Sequence, residues 1–294
     1  MTENLLELSG KIDSLWVNVF QSIHETANKL QIPFFVVGAT ARDIILEYGF
    51  GVKPSRATND VDLGVSIADW KTYEQLMNGL ISSGRFAATK QHRLIFEGTL
   101  PVDIIPFGLI AKPDEKITWP KDPDFTMNML GFDEAYEFSM TVRLRNDPVL
   151  EVRVSTPQSL AIMKLISWDE RPAGTSKDAD DFFLIMSTYM DLGNFARVSQ
   201  DAADLLDVSD FDYDQAGARL LGRDMATSCN VETANRLLEI LARETGEKER
   251  YRLVEAMGAH DPFGDGGKLE RALELLESVK MGFEERVNII GMKG

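Results

Sequence analysis

The hydrophobic pattern changes character near residue 155, where strand-like runs give way to helical spacing, and that change constrains the fold more than any other feature. Between residues 32 and 154 the apolar side chains fall in short β-branched and aromatic runs, such as Phe34-Phe35-Val36-Val37 and the alternating Val61, Leu63, Val65 and Ile67. Period two marks a strand with one buried face. From Thr156-Pro157 onward nearly everything has helical spacing, opening with a cap residue and a proline in the first turn. A 294-residue chain with this break is expected to form an α/β (α+β) core, a small mixed β-sheet flanked by helices over 1–155, and then a helical domain over 156–294.

Within that frame the spacing predicts a helix over 12–30, strands over 34–37 and 61–67, a short helix over 39–46, and a helix over 70–81 capped by Asp69. Strands follow over 92–97 and 102–107 around Gly98, with a hairpin over 141–154 around Asn146-Asp147-Pro148. Residues 112–126 carry Pro113, Pro120 and Pro123 among charges and read as a loop. Helices are expected over 156–168 and 176–190, with four to six more over 195–292.

Composition removes several classes of function. With 47 acidic and 31 basic side chains the formal charge is −16, unlike an open nucleic-acid binder that neutralises phosphates with clustered Lys and Arg. No apolar run approaches the roughly 20 residues of a membrane span, and no secretory signal is visible, so the expected location is cytoplasmic. The single cysteine, Cys229, forms no intramolecular disulfide and no cysteine zinc cluster.

Three features carry chemistry. In Asp60-Val61-Asp62 the two carboxylates are two residues apart on a strand and project to one face. A hard divalent cation with oxygen ligands would offset their repulsion; a solvated strand end is the alternative. In Pro101-Val102-Asp103-Ile104-Ile105 a charge interrupts an apolar strand, which calls for a metal or for a salt bridge to Arg42 or Arg93. If that strand lies beside the Asp60–Asp62 strand, the three carboxylates converge. In Val36-Val37-Gly38-Ala39-Thr40-Ala41-Arg42 a strand, a glycine and a helix start make an anion site or a plain strand-to-helix turn. Neither a Walker lysine nor a G-x-G-x-x-G fingerprint accompanies it. Further along, Lys164 interrupts the apolar helix Leu160, Ile162, Met163, Leu165 and Ile166, as a snorkelling surface lysine or a partly buried cation facing phosphate.

Together these residues, over about 32–189, resemble the DNA polymerase β-type nucleotidyltransferase superfamily, and within it the AbiEii-type nucleotidyltransferase toxin family. The resemblance implies that Gly38, Ala39 and Thr40 open the nucleotide site, with Arg42 beside them. It implies that Asp60, Asp62 and Asp103 bind Mg2+ or Mn2+ and carry catalysis. Lys164 followed by Lys177-Asp178-Ala179-Asp180-Asp181 matches a later signature, which implies that Lys164 contacts the triphosphate and that Asp181 orients it or completes the local charge network. The implied reaction transfers a nucleoside monophosphate from a nucleoside triphosphate to an acceptor hydroxyl, with release of pyrophosphate. The alternative is a non-catalytic nucleotide-binding or interaction module on the same fold. The acceptor is a tRNA or other RNA end, a small molecule or a protein, and the toxin resemblance implies an antitoxin partner. A tRNA end remains compatible with the acidic composition if a local basic cleft is lined by Arg42, Lys53, Arg56 and Lys164, with the helical domain completing the nucleotide cleft.

Overall fold

Val37 is the last residue of a buried strand, and the residue after it must turn sharply. This junction organises the first half of the protein. The computed structural model describes residues 5–171, 176–200, 202–206, 211–246, 251–258 and 266–291. The chain divides into two compact units, Met1–Thr156 and Pro157–Gly294.

The first unit contains strands β1 (Leu5–Glu7), β2 (Phe34–Val37), β3 (Val61–Ser66), β4 (Phe86–Ala88), β5 (Arg93–Phe96), β6 (Leu100–Phe107), β7 (Lys116–Trp119), β8 (Asp122–Asn128), β9 (Met140–Asn146) and β10 (Val149–Val154). Eight of them form one mixed sheet in the order β1-β9-β10-β2-β3-β6-β5-β4. At its centre β2 pairs antiparallel with β3, and β3 pairs parallel with β6. One face of β3 presents Val61, Leu63 and Val65, all fully buried. The helices of that side are α1 (Ser14–Leu30), whose His24 meets Phe34 of β2 edge-on, and α3 (Trp70–Ser82), whose Tyr73 hydroxyl donates 2.9 Å to the Ile104 carbonyl of β6. On the other face, Gly64 leaves room for the Phe35 ring: a Cβ at residue 64 would lie 2.4 Å from it. Phe35 then joins Phe107 and, from α4 (Phe132–Glu137), Phe132 and Tyr136 in an aromatic cluster. Between β2 and β3, the five residues of α2 (Gly38–Arg42) run into a π-helical turn over Asp43–Gly49.

The predicted mixed sheet and flanking helices are present, and Asp69 caps α3 by accepting from the Thr72 amide. Three local expectations need correction. Residues 112–126 are not a loop throughout, because β7 and β8 form a separate antiparallel hairpin. Ile117 and Trp119 alternate with exposed Lys116 and Thr118, a period-two signal that the prolines masked; Pro120 falls in the turn, where a missing N–H costs nothing. The short edge strands β1 and β4 and the helix α4 had too few residues to show a period. The helix expected over 39–46 is α2 followed by π-helical backbone.

The second unit is helical: α5 (Pro157–Glu170), α6 (Lys177–Thr188), α7 (Phe195–Gln200), α8 (Tyr213–Thr227), α9 (Val231–Thr245), α10 (Arg252–Gly258) and α11 (Gly266–Gly291). Five of them lie beyond residue 194, within the expected range; residue 292, the expected end of the last, lies outside the described residues. Glycines bring α8 and α11 close together. A Cβ on Gly222 would lie 2.0 Å from the Val279 carbonyl, and one on Gly282 would lie 1.9 Å from that of Arg219. Among the described residues no helix is long and apolar enough to cross a membrane.

Candidate active site

Strand register brings the acidic residues together. Asp62 of β3 stands opposite Val37 of β2 on one side and opposite Asp103 of β6 on the other. Paired residues on neighbouring strands share a face, and so do residues two apart. Asp60, just before β3, therefore projects with them. One carboxylate oxygen from each of Asp60, Asp62 and Asp103 can be chosen so that all three lie within 4.8 Å of one another, at half-buried positions. At an effective dielectric near 20, two unit charges at that separation repel by about 3 kcal/mol before solvent screening. Positive charge beside the group offsets that repulsion, and its hard oxygen donors suit a divalent cation such as Mg2+ or Mn2+.

The glycine turn fits against this cluster. Gly38 has φ +64°, the left-handed region that disfavours any side chain. A Cβ there would lie 2.3 Å from Asp62 Oδ2 and 2.9 Å from its Cγ, so Asp62 occupies the space that only glycine leaves open. Ala39 and Thr40 follow in α2 and are buried. The Thr40 hydroxyl donates to the Asp60 carbonyl at 2.9 Å and accepts from the Asp62 amide at 3.4 Å. It thereby ties the start of α2 to the backbone that carries both acids.

Positive charge at the cluster comes from Arg93 on β5, which is in register with Asp103. Its Nε donates to Asp103 Oδ1 at 2.6 Å, and its Nη2 donates to Asp103 Oδ2 at 2.5 Å and to Asp60 Oδ2 at 3.2 Å. Bidentate pairing of this kind is the strong form of an ion pair. The hydrogen bonds to Asp103 hold the guanidinium pKa above its ordinary value, against the opposing effect of burial. Of the two salt-bridge partners open to Asp103 from the sequence, the structure selects Arg93. Two further residues border the cluster. Burial, and then the Asp103 charge, raise the Tyr73 pKa. His92, packed against Trp119 at 5.2 Å and Phe125 at 6.0 Å, has its pKa lowered by burial despite the pull of Asp103. Tyr73 gave no signal beyond its place in a helical stripe.

The other expected site residues with charged side chains, Arg42, Lys164 and Asp181, are each held in ion pairs. Arg42 is 1 % exposed. Its guanidinium is held by Asp43, the Arg56 carbonyl and the Thr58 hydroxyl, so it braces the loop before β3 and does not line an open basic cleft. The sequence signal for this pairing is the adjacent acid, Asp43. Lys164, in the second unit, is not a snorkelling surface lysine but a largely buried cation paired with two carboxylates. Its Nζ lies 2.9 Å from Asp178 and 2.7 Å from Asp181, and its side chain is 12 % exposed. Burial acts to lower its pKa, but the two carboxylates outweigh that and the net shift is upward. Asp181 is buried and paired with this lysine, and Arg171 approaches Asp178 from the other side at 2.8 Å.

No family model matches the chain, and no curated protein does. Among solved structures it is similar to ANT(2″)-Ia in complex with adenylyl-2″-tobramycin, at 13% identity over 63% of this chain and 99% of that chain, with a TM-score of 0.35. It is also similar to an H. pylori protein put forward as a nucleotidyltransferase (14% identity, 95% and 99% coverage, TM-score 0.36). A third is the Thermotoga maritima CCA-adding enzyme complexed with tRNA (13% identity, 96% and 73% coverage, TM-score 0.26). At identities and TM-scores this low the likeness carries no argument about activity, which rests on the geometry of the acidic cluster and its glycine turn.

Proposed function

We propose that the protein is a metal-dependent nucleotidyltransferase of the DNA polymerase β type, moving a nucleoside monophosphate from a nucleoside triphosphate to an acceptor hydroxyl with release of pyrophosphate. The observation that carries this reading is the convergence of Asp60, Asp62 and Asp103 within 4.8 Å, together with the approach of Asp62 to Gly38. These three side chains would hold Mg2+ or Mn2+. When bound, such an ion supplies neutralisation of triphosphate charge and lowers the pKa of a coordinated hydroxyl. Asp103 is the side chain proposed to receive the acceptor's proton as the new oxygen–phosphorus bond forms and the bond to pyrophosphate breaks. Gly38 keeps the Asp62 carboxylate in the cluster, and Thr40 holds the backbone of Asp60 and Asp62 in place.

The finer reading is the toxin of an AbiEii-type pair, with an antitoxin protein as partner. It is supported by the motif resemblance around Gly38, Asp60-Val61-Asp62 and Lys164. In it, Lys164 and Asp181 act on the triphosphate, and the acceptor is an RNA end, a small molecule or a protein. One observation favours the second reading, a non-catalytic nucleotide-binding module: Arg93 already neutralises part of the acidic cluster.

The test is to incubate the purified protein with cell extract and each α-labelled nucleoside triphosphate, and to identify labelled products by mass spectrometry. Labelled product should disappear with Asp60→Asn and with Asp62→Asn while circular dichroism stays unchanged. Transfer that survives either substitution refutes the enzyme assignment. Thermal stabilisation by a triphosphate with no product on any acceptor selects the binding module.

A further inference from the structure

Two of the cluster's three carboxylates share one guanidinium, which takes oxygens that a bound ion would use. Arg93 takes both oxygens of Asp103 and one of Asp60, at 2.6, 2.5 and 3.2 Å. It therefore engages two of the three side chains that the metal-dependent reading assigns as ligands. A carboxylate oxygen turned toward a guanidinium fork is not free to coordinate a small, hard cation in its preferred geometry. Arg93 is also not locked in place by burial, since its side chain is 32 % exposed and has a route to solvent. Its charge persists at every physiological pH, so it leaves the acids only by moving.

Resting on the metal-dependent reading above, we infer that Arg93 is a built-in competitor for the metal: binding of the divalent cation exchanges it for the Arg93 guanidinium on Asp103 and Asp60. Two consequences follow from the charges. Without metal, Arg93 lowers the repulsion among the acids and lets the central strands pair with the carboxylates on one face. On metal entry, the displaced guanidinium carries one positive charge at the mouth of the cluster, free to meet the phosphates of an incoming triphosphate. Proton acceptance by Asp103 then becomes available only in the loaded state, because the same two oxygens are engaged by Arg93 beforehand. Arg93 is a positioning residue in this scheme, acting through Asp103 and Asp60.

The test uses Mn2+ alone as the probe, titrated by calorimetry or by electron paramagnetic resonance into the full chain and its Arg93→Gln, Arg93→Ala and Asp62→Asn variants. Arg93→Gln and Arg93→Ala should bind Mn2+ about tenfold more tightly than the unaltered protein (about 1.4 kcal/mol), because a competitor for the same oxygens is removed. They should also melt lower in EDTA and recover with saturating Mn2+. Glutamine keeps a polar side chain of intermediate length, so Arg93→Gln keeps the comparison available if Arg93→Ala fails to fold. Equal or weaker Mn2+ affinity in the Arg93 variants, with normal binding by the unaltered chain, overturns the competitor role and leaves the metal site standing. Absence of Mn2+ binding in every protein, or undiminished binding in Asp62→Asn, overturns the metal-dependent reading and this inference with it.

Discussion

Gly38→Ala offers the sharpest perturbation, because its two effects separate. The left-handed φ of +64° should cost an alanine about 1–2 kcal/mol. The added methyl would also stand 2.3 Å from Asp62 Oδ2, 2.9 Å from Cγ and 3.0 Å from Cβ, so the carboxylate has to swing out of the cluster. Gly98, in the turn between β5 and β6, is the matched control: its φ is +74°, but a Cβ there meets nothing within 4 Å. Backbone strain alone should therefore lower the melting temperature in both, by about 2–8 °C, with Gly38→Ala lowered further by its clash with Asp62. Only Gly38→Ala should weaken Mn2+ binding and reduce nucleotide transfer, the latter on the order of a hundredfold for a displacement near 1 Å. Differential scanning calorimetry, Mn2+ titration and the labelled-triphosphate assay give the three readouts. If Gly38→Ala matches Gly98→Ala in Mn2+ affinity and transfer, the argument that Gly38 exists to admit Asp62 is refuted.

Lys164→Met removes the cation shared by buried Asp178 and Asp181, and denaturant melts at pH 7 should show a loss of about 3–5 kcal/mol. Because the folded-state pKa of Lys164 is raised, its stabilisation is complete below the ordinary lysine value and fades as pH rises through the folded one. The gap between the unaltered protein and Lys164→Met should accordingly narrow at strongly alkaline pH; a gap that holds constant there contradicts the pairing. His92 has the opposite sign. Its lowered pKa means that the unfolded chain takes up the proton first, so stability is lost as pH falls below the ordinary histidine value. His92→Phe should flatten the melting temperature between pH 7 and pH 5, measured by thermal denaturation, and an unchanged slope contradicts the burial of a neutral imidazole.

The acidic cluster was legible because two local rules sufficed for most of it. Period two placed Asp60 and Asp62 on one face of a strand, and an acid within the apolar run around Asp103 demanded a partner. What local rules could not supply was the pairing. Asp62 faces Asp103 only because β3 and β6 are parallel neighbours in a particular register, and a slip of one residue would turn one of them to the opposite face. Similarly, the charge of Arg42 suggested a nucleotide contact, whereas its adjacent acid and the carbonyl of Arg56 draw it inward. The β7–β8 hairpin is illegible in the sequence because three prolines outweigh a four-residue alternation.

From the sequence alone follow the change of character near residue 155, the strand–glycine–helix junction at Val37-Gly38-Ala39 and the acids available for a metal. These depend on neighbours a few residues apart, where hydrophobic spacing and backbone preference act directly. The tertiary structure decided which charges meet: Arg93 with Asp103 and Asp60, Lys164 with Asp178 and Asp181, and Asp62 with the space that Gly38 lacks a side chain to fill. Electrostatic partners depend on distances of a few ångströms between residues up to thirty or so positions apart, and only the strand order and helix packing set those distances.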